Sequence, residues 1–279
     1  MIHPKPPFRP KFRRLPERKR MTIAAGFTAN DGIVLCADTQ ETISGYTKTH
    51  DGKIVLTVYQ DMAMVIAGAG TLDYIQTARE AIHDGFPDRA VSMGQVSAHL
   101  KNKLLGFFDE HIARWAYFPD RERPSVQLLI GITGKKIPPA LFHYDGTAFC
   151  MVRHKAIGAG ILLANDLINN YCFGNFTVSQ LANIGIYILA KVKRGVDGCG
   201  GSTHVIGLRK GRDFSFTEKD VVDKLEEELL AIEDDSAKAF VKAIAEKGPA
   251  LSWQSEFEKK RKQLESKPPL KIQKSTDRQ

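Results

Sequence analysis

Four residues stand in an order that could do chemistry. Thr22 offers a hydroxyl directly behind Met21, Asp38 a carboxylate, Lys53 an ammonium, and Gly68 a backbone with no side chain to shield it. Each also has a plain structural reading. Asp38 ends an apolar run and suits the start of a turn, Lys53 suits an exposed surface, and Gly68-Ala69-Gly70 suits a strand-to-helix turn. Their joint occurrence behind Thr22 raises them above those readings. The cysteines offer less. Cys36, Cys150, Cys172 and Cys199 are scattered, with no CxxC and no paired histidines at zinc spacing, so no disulfide, metal or cofactor is expected. Cys36 lies inside an apolar strand pattern and reads as a buried free thiol.

Those residues need elements to position them. Thr22 to Phe27 and Ile33 to Ala37 are small, apolar and β-prone, and Ala29-Asn30-Asp31-Gly32 between them tolerates the positive φ of a hairpin turn. KIVLTVY from Lys53 and MAMVIAG from Met62 make a second pair. The period then changes to about 3.6, with Leu72, Ile75, Ala78 and Ile82 on one helical face. A longer helix is expected over Ser92 to Trp115, with Val96, Leu100, Leu104, Phe107, Phe108 and Ile112 inward, before Pro119 and Pro124 stop it. Strands return at Ser125, Pro139 and Thr147. Helices follow over Ile161 to Cys172 and Val178 to Lys193, then strands at Ser202 and Asp213 and a helix near Glu218. Strand blocks separated by helix pairs predict two sheets packed face to face with helices outside, an α+β fold arranged as a four-layer αββα sandwich.

Charge separates the body from its ends. Residues 1–20 carry eight Lys or Arg against Glu17, and residues 254–279 carry eight against four acidic residues. The overall +8 therefore belongs to the ends, and the body is close to neutral at about −3. A basic arm supplies phosphate attraction but no base readout, which gives no basis for a nucleic-acid partner. The proline-rich start reads as a solvated tail and has no apolar h-region of a secretory signal. With 43% hydrophobic residues and no apolar run approaching the roughly 20 a membrane-spanning helix needs, no membrane partner is expected and a cytoplasmic protein is.

Three blocks carry a family resemblance: TIAAGFTANDGIVLCADT from Thr22, DGKIVL around Lys53 and VIAGAGTLD around Gly68. Together they resemble the signature blocks of proteasome β-subunits and of the bacterial HslV peptidase, over about Thr22 to Lys210. The resemblance implies N-terminal-nucleophile (Ntn) hydrolysis of peptide bonds by a threonine protease. On that pattern Thr22 is the nucleophile, with its own α-amino group as base; an amine of pKa near 8 can take the hydroxyl proton, whereas an amide cannot. Lys53 would stabilise the alkoxide, Asp38 would hold Lys53, the Gly68 N–H would be the oxyanion donor, and Asp197 would be a supporting aspartate. Thr42 falls near the position whose backbone pairs with an extended substrate.

The same resemblance implies self-association into rings, protein or peptide substrates, and an ATP-dependent unfoldase as partner. It divides the chain into a basic extension or propeptide at 1–21, the hydrolase domain at 22–235, and a helical, basic tail at 236–279. Thr22 would be freed if translation starts at Met21, the reading favoured here, or if residues 1–21 are cut off autocatalytically. The chain departs from the active pattern at Ala159 and Gly200, where serines are expected, with Ser202 or Thr203 as candidate substitutes. Those two positions support a rival expectation: a catalytically silent ring subunit resembling proteasome α-type subunits.

Overall fold

The structure is a computed structural model describing residues 22–247, apart from 40, 44–46, 50–52, 90–91, 120–122, 173 and 212, together with 273–274. The expectations for Met21 and the extension before it, and for most of the basic tail, lie outside the described residues.

IAAGFT and GIVLCAD have no polar face, which suits strands covered on both sides. They form β1 (Ile23–Thr28) and β2 (Gly32–Asp38), an antiparallel hairpin pairing Ala24 with Ala37 and Thr28 with Ile33. Alternate residues enter different cores. Ile23, Ala25, Phe27, Val34 and Cys36 belong to one apolar cluster, and Ala24, Ile33, Leu35 and Ala37 to another. The hairpin turn closes with the Ala29 N–H on Gly32 O at 2.8 Å. Gly32 is needed for close approach rather than for positive φ: a Cβ there would lie 1.9 Å from Leu208 O on the neighbouring strand.

A two-stranded ribbon absent from the sequence reading follows, β3 (Glu41–Ile43) with β4 (Thr47–Thr49). Then come β5 (Ile54–Val58), β6 (Met62–Gly70), α1 (Leu72–His83) and α2 (Met93–Phe107). Leu72 was expected on the inward row of α1 but is 39% exposed; that row begins at Ile75. The expected helix to Trp115 continues past α2 as a π turn (Phe108–Ile112) and a 3-10 turn (Ala113–Trp115). The change starts where the Phe108 N–H is shared between Leu104 O and Leu105 O.

Strands β7 (Val126–Gly134), β8 (Ala140–Tyr144), β9 (Phe149–Val152) and β10 (His154–Gly158) precede α3 (Ile161–Tyr171) and α4 (Val178–Gly195). A capping box between Thr177 and Gln180 starts α4. The chain closes with β11 (Thr203–Arg209), β12 (Phe214–Phe216), α5 (Lys219–Lys247) and β13 (Gln273–Lys274). Helix α5 is continuous through position 235. No helix among the described residues is long and apolar enough to cross a membrane.

One antiparallel sheet runs β10-β1-β2-β11-β12-β13 and the other β5-β6-β7-β8-β9. β10 was not separated from β9 in the sequence reading, although only Arg153 divides them and they belong to different sheets. This is a mixed α/β fold of two antiparallel sheets and helices. Met62, Met64 and Ile66 of β6 pack with α1 and α2, while Ala63, Val65, Ala67 and Ala69 join the cluster shared with β1 and β2. Small residues let the sheets approach: a Cβ on Gly26 would lie 3.0 Å from Leu141 Cδ2 of the other sheet. Helix α4 approaches β2 in the same way, since a Cβ on Gly185 would lie 2.6 Å from Cys36 Sγ. Cys36 is buried there, and burial pushes its thiol far above the ordinary range, so it is an inert packing group.

Candidate functional site

Asp38 is the last residue of β2, paired with Thr203 of β11, and is fully buried. Its Oδ1 accepts from the Ile23 N–H at 3.1 Å and from Lys53 Nζ at 2.7 Å. Its Oδ2 accepts from the Gly200 N–H at 3.2 Å. Burial pushes the Asp38 carboxyl above the usual carboxylate range, and the Lys53 charge and the two backbone donors pull against it.

Lys53 immediately precedes β5 and is only 6% exposed. Its carbonyl is fixed by Arg79 Nη2 of α1 at 2.7 Å. The β5–β6 ladder pairs Ile54 with Ala67, so one further step sets Lys53 beside Gly68. Gly68 is a close-approach position. A Cβ there would lie 2.5 Å from Ile75 Cγ2 and 3.5 Å from Arg79 Nη2.

Thr22 is half-buried at the head of β1. Its carbonyl accepts from the Ala159 N–H at 2.8 Å. That approach requires glycine next door: Gly158 has φ +101°, and a Cβ on it would lie 1.8 Å from Thr22 O. Gln127 of β7 holds Gly158 in turn, with Oε1 accepting its N–H at 2.8 Å. Thr22 is thus fixed through its carbonyl on one side and, on the other, through the Ile23 N–H that Asp38 binds.

Thr22, Asp38, Lys53 and Gly68 therefore converge where β1, β2 and the β5–β6 pair meet. Asp197 does not join them: it is exposed on the turn after α4 and has no hydrogen bond or ion pair among the described residues. Thr42 lies in β3, paired with Lys48. Ala159 and Gly200, at the two positions lacking the expected serines, contribute backbone N–H groups instead, to Thr22 and Asp38 respectively. Ser202 and Thr203 do not substitute for them. Their hydroxyls bond Asp223 and Glu226 of α5 instead, although Thr203 pairs directly with Asp38 in the β2–β11 ladder.

No protein-family model matches the chain, and no curated protein matches it. Solved structures do. An Anbu (Gly-1) mutant from Hyphomicrobium sp. strain MC1 aligns with a TM-score of 0.63 at 16% identity, over 79% of this chain and 98% of that one. Anbu from Yersinia bercovieri, described as an ancestral beta-subunit, gives 0.60 at 14% identity over 82% and 99%. The helical assembly of the Anbu complex from Pseudomonas aeruginosa gives 0.61 at 13% over 77% and 95%. The likeness is one of fold. It corrects the family expected from the sequence blocks: the similar structures are Anbu proteins, a family distinct from proteasome β-subunits and HslV.

Three participants escaped the sequence reading. Arg79 is nearly buried although charged, on the inward row of α1, and could have been flagged as a cation at an apolar spacing. The Gly200 N–H has no signal beyond the glycine-rich run that contains it. Cys199 is 7% exposed beside the ion pair; burial, with Asp38 adding and Lys53 opposing, pushes its thiol up to about 11, away from thiolate chemistry. No group of three His, Cys, Asp or Glu that could hold a metal occurs among the described residues.

Proposed function

We propose that the chain is a threonine-type Ntn peptide hydrolase built on an Anbu-like fold, with Thr22 as nucleophile. The observation that carries this reading is the shared Asp38 oxygen. It accepts the N–H of the residue after Thr22 and the Lys53 ammonium together, which ties a cation to the backbone of the threonine. Once Thr22 is N-terminal, its α-amine takes the hydroxyl proton, the oxygen attacks the substrate carbonyl, and Lys53 offsets the developing negative charge. The Gly68 N–H is the oxyanion donor in this scheme; Asp197, exposed on the turn after α4 and away from the other four residues, is given no direct part in it. The three apolar clusters support a four-layer αββα sandwich for residues 22–235.

Self-association belongs to the same proposal, supported by the helical assembly solved for the Pseudomonas neighbour. A ring-like assembly of this chain in the cytoplasm, fed by an ATP-dependent unfoldase, would keep a broad hydrolase from folded proteins.

The test begins with the intact mass of purified protein and continues with a β-lactone that acylates N-terminal threonine. The expected result is a chain beginning at Thr22 with one adduct on that residue, both adduct and peptide cleavage vanishing in Thr22→Ala while assembly persists. A chain that keeps its N-terminal extension and takes no adduct overturns the proposal. That outcome favours the silent subunit, for which the missing hydroxyls at Ala159 and Gly200 are the specific support.

A further inference from the structure

The segment joining α4 to β11 reads Val196-Asp197-Gly198-Cys199-Gly200-Gly201-Ser202, and it delivers the Gly200 N–H to Asp38 at 3.2 Å. Two of its glycines, Gly198 and Gly201, sit at φ +88° and +74°. A run so poor in side chains has many accessible conformations and little to choose among them by itself. Something outside it must fix the orientation of the Gly200 amide.

Helix α5 and the last turn of α4 supply that grip at three consecutive residues. Lys193 Nζ donates to Gly201 O at 2.9 Å and to Thr203 Oγ1 at 3.0 Å. It is held by both oxygens of Glu226, at 2.6 and 2.7 Å. Thr203 Oγ1 donates to Glu226 as well, and Ser202 Oγ donates to Asp223 Oδ2 at 3.3 Å. The Lys193 and Glu226 side chains are only 10% and 14% exposed, so the pair is largely dehydrated. Removing the carboxylate would leave an uncompensated ammonium, which relieves its desolvation by swinging into water and releasing Gly201 O. Gly201 is the residue next to the one whose N–H caps Asp38.

We propose that Glu226, acting through Lys193, is a positioning residue for the candidate active site: it locks the 197–203 turn so that the Gly200 N–H stays on Asp38 and keeps that carboxylate oriented towards Lys53 and the Ile23 amide. The site described above is thereby completed by a helix outside both sheets. The catalytic consequence rests on the peptidase reading; the positioning itself does not.

The experiment has two arms on the full chain. In the first, hydrogen exchange by mass spectrometry follows the peptide covering 197–203 in wild type, Glu226→Ala and Lys193→Met. Both variants are expected to exchange that peptide at least tenfold faster, with the β1–β2 hairpin unchanged. Should Glu226→Ala lose protection throughout, Glu226→Gln keeps the size and a neutral acceptor for Thr203, and is expected to speed exchange about threefold in 197–203 alone. Unchanged exchange there overturns the proposal. In the second arm, β-lactone inactivation is expected to show a five- to thirtyfold lower maximal rate in Glu226→Ala at unchanged half-saturating concentration, with partial recovery in Glu226→Gln. A shift in half-saturation alone overturns the catalytic consequence. Absence of any adduct in wild type sinks the peptidase reading while the exchange arm still decides the positioning.

Discussion

Lys53 Nζ lies 2.7 Å from Asp38 Oδ1, with both side chains almost wholly removed from water. Such a pair is held at a desolvation cost, and its value appears when one partner is removed. Lys53→Met or Asp38→Ala is expected to lower stability by about 3–5 kcal/mol, measured by urea unfolding. Joining Asp38→Ala to Lys53→Met recovers only part of this. The Ile23 and Gly200 N–H groups then lose their acceptor, at about 1–3 kcal/mol each if neither finds another. Strict additivity of the two single losses would show that the charges are not coupled.

Gly158 and Gly106 make opposite predictions for the same substitution. Gly158 adopts φ +101° with Thr22 O where a Cβ would sit, whereas a Cβ on Gly106 near the end of α2 meets nothing within 4 Å. Gly158→Ala is expected to destabilise by more than about 2 kcal/mol and to abolish adduct formation at Thr22, because the threonine carbonyl must move. Gly106→Ala is expected to stabilise by about 0.5–1 kcal/mol without touching the site. Thermal unfolding of the two variants side by side checks both signs.

The β1–β2 hairpin was legible because its two apolar runs flank a four-residue turn with the right chemistry, and Asp38 and Lys53 fall at strand ends that local patterning marks. β10 was not, since MVRHKAIG reads as one extended segment and nothing local says that the chain changes sheets at Arg153. The same physics hides the Gly200 contact to Asp38, which spans 162 positions and is made by a backbone group that no residue type announces. Ser202 and Thr203 were read as hydroxyls for the site. They serve α5 instead, a pairing that depends on where a helix packs and not on spacing along the chain.

His154 makes acid stability testable. It pairs with Phe27 across the β1–β10 ladder, both ring nitrogens are buried with no hydrogen-bond partner among the described residues, and burial with help from Arg153 pulls its pKa down to about 4. The folded state therefore binds the proton later than the unfolded chain, whose histidine titrates near 6.5. Its contribution is complete above pH 6.5 and is lost as pH falls from there towards 4. His154→Phe is expected to reduce that acid loss by roughly 1–2 kcal/mol, allowing for partial solvent screening, with little change at pH 7.5. Denaturation series at pH 7.5, 5.5 and 4.5 read this directly, and identical slopes in the two proteins would remove His154 from the account.

Ala159 offers a gain-of-function test of the candidate site. Its N–H holds the Thr22 carbonyl at 2.8 Å, yet its side chain is exposed, so a hydroxyl can be added without burying a new polar group. The backbone bond to Thr22 is independent of the side chain, and Ala159→Ser should leave stability within about 0.5 kcal/mol. If Thr22 is a nucleophile whose proton handling lacks a neighbouring hydroxyl, the serine raises the rate of β-lactone acylation severalfold with little change in half-saturation. A scaffold subunit gains nothing from the same change. Acylation rates of wild type, Ala159→Ser and the Thr22→Ala, Ala159→Ser double variant separate the two, because a rate increase that survives loss of Thr22 would come from the introduced serine itself.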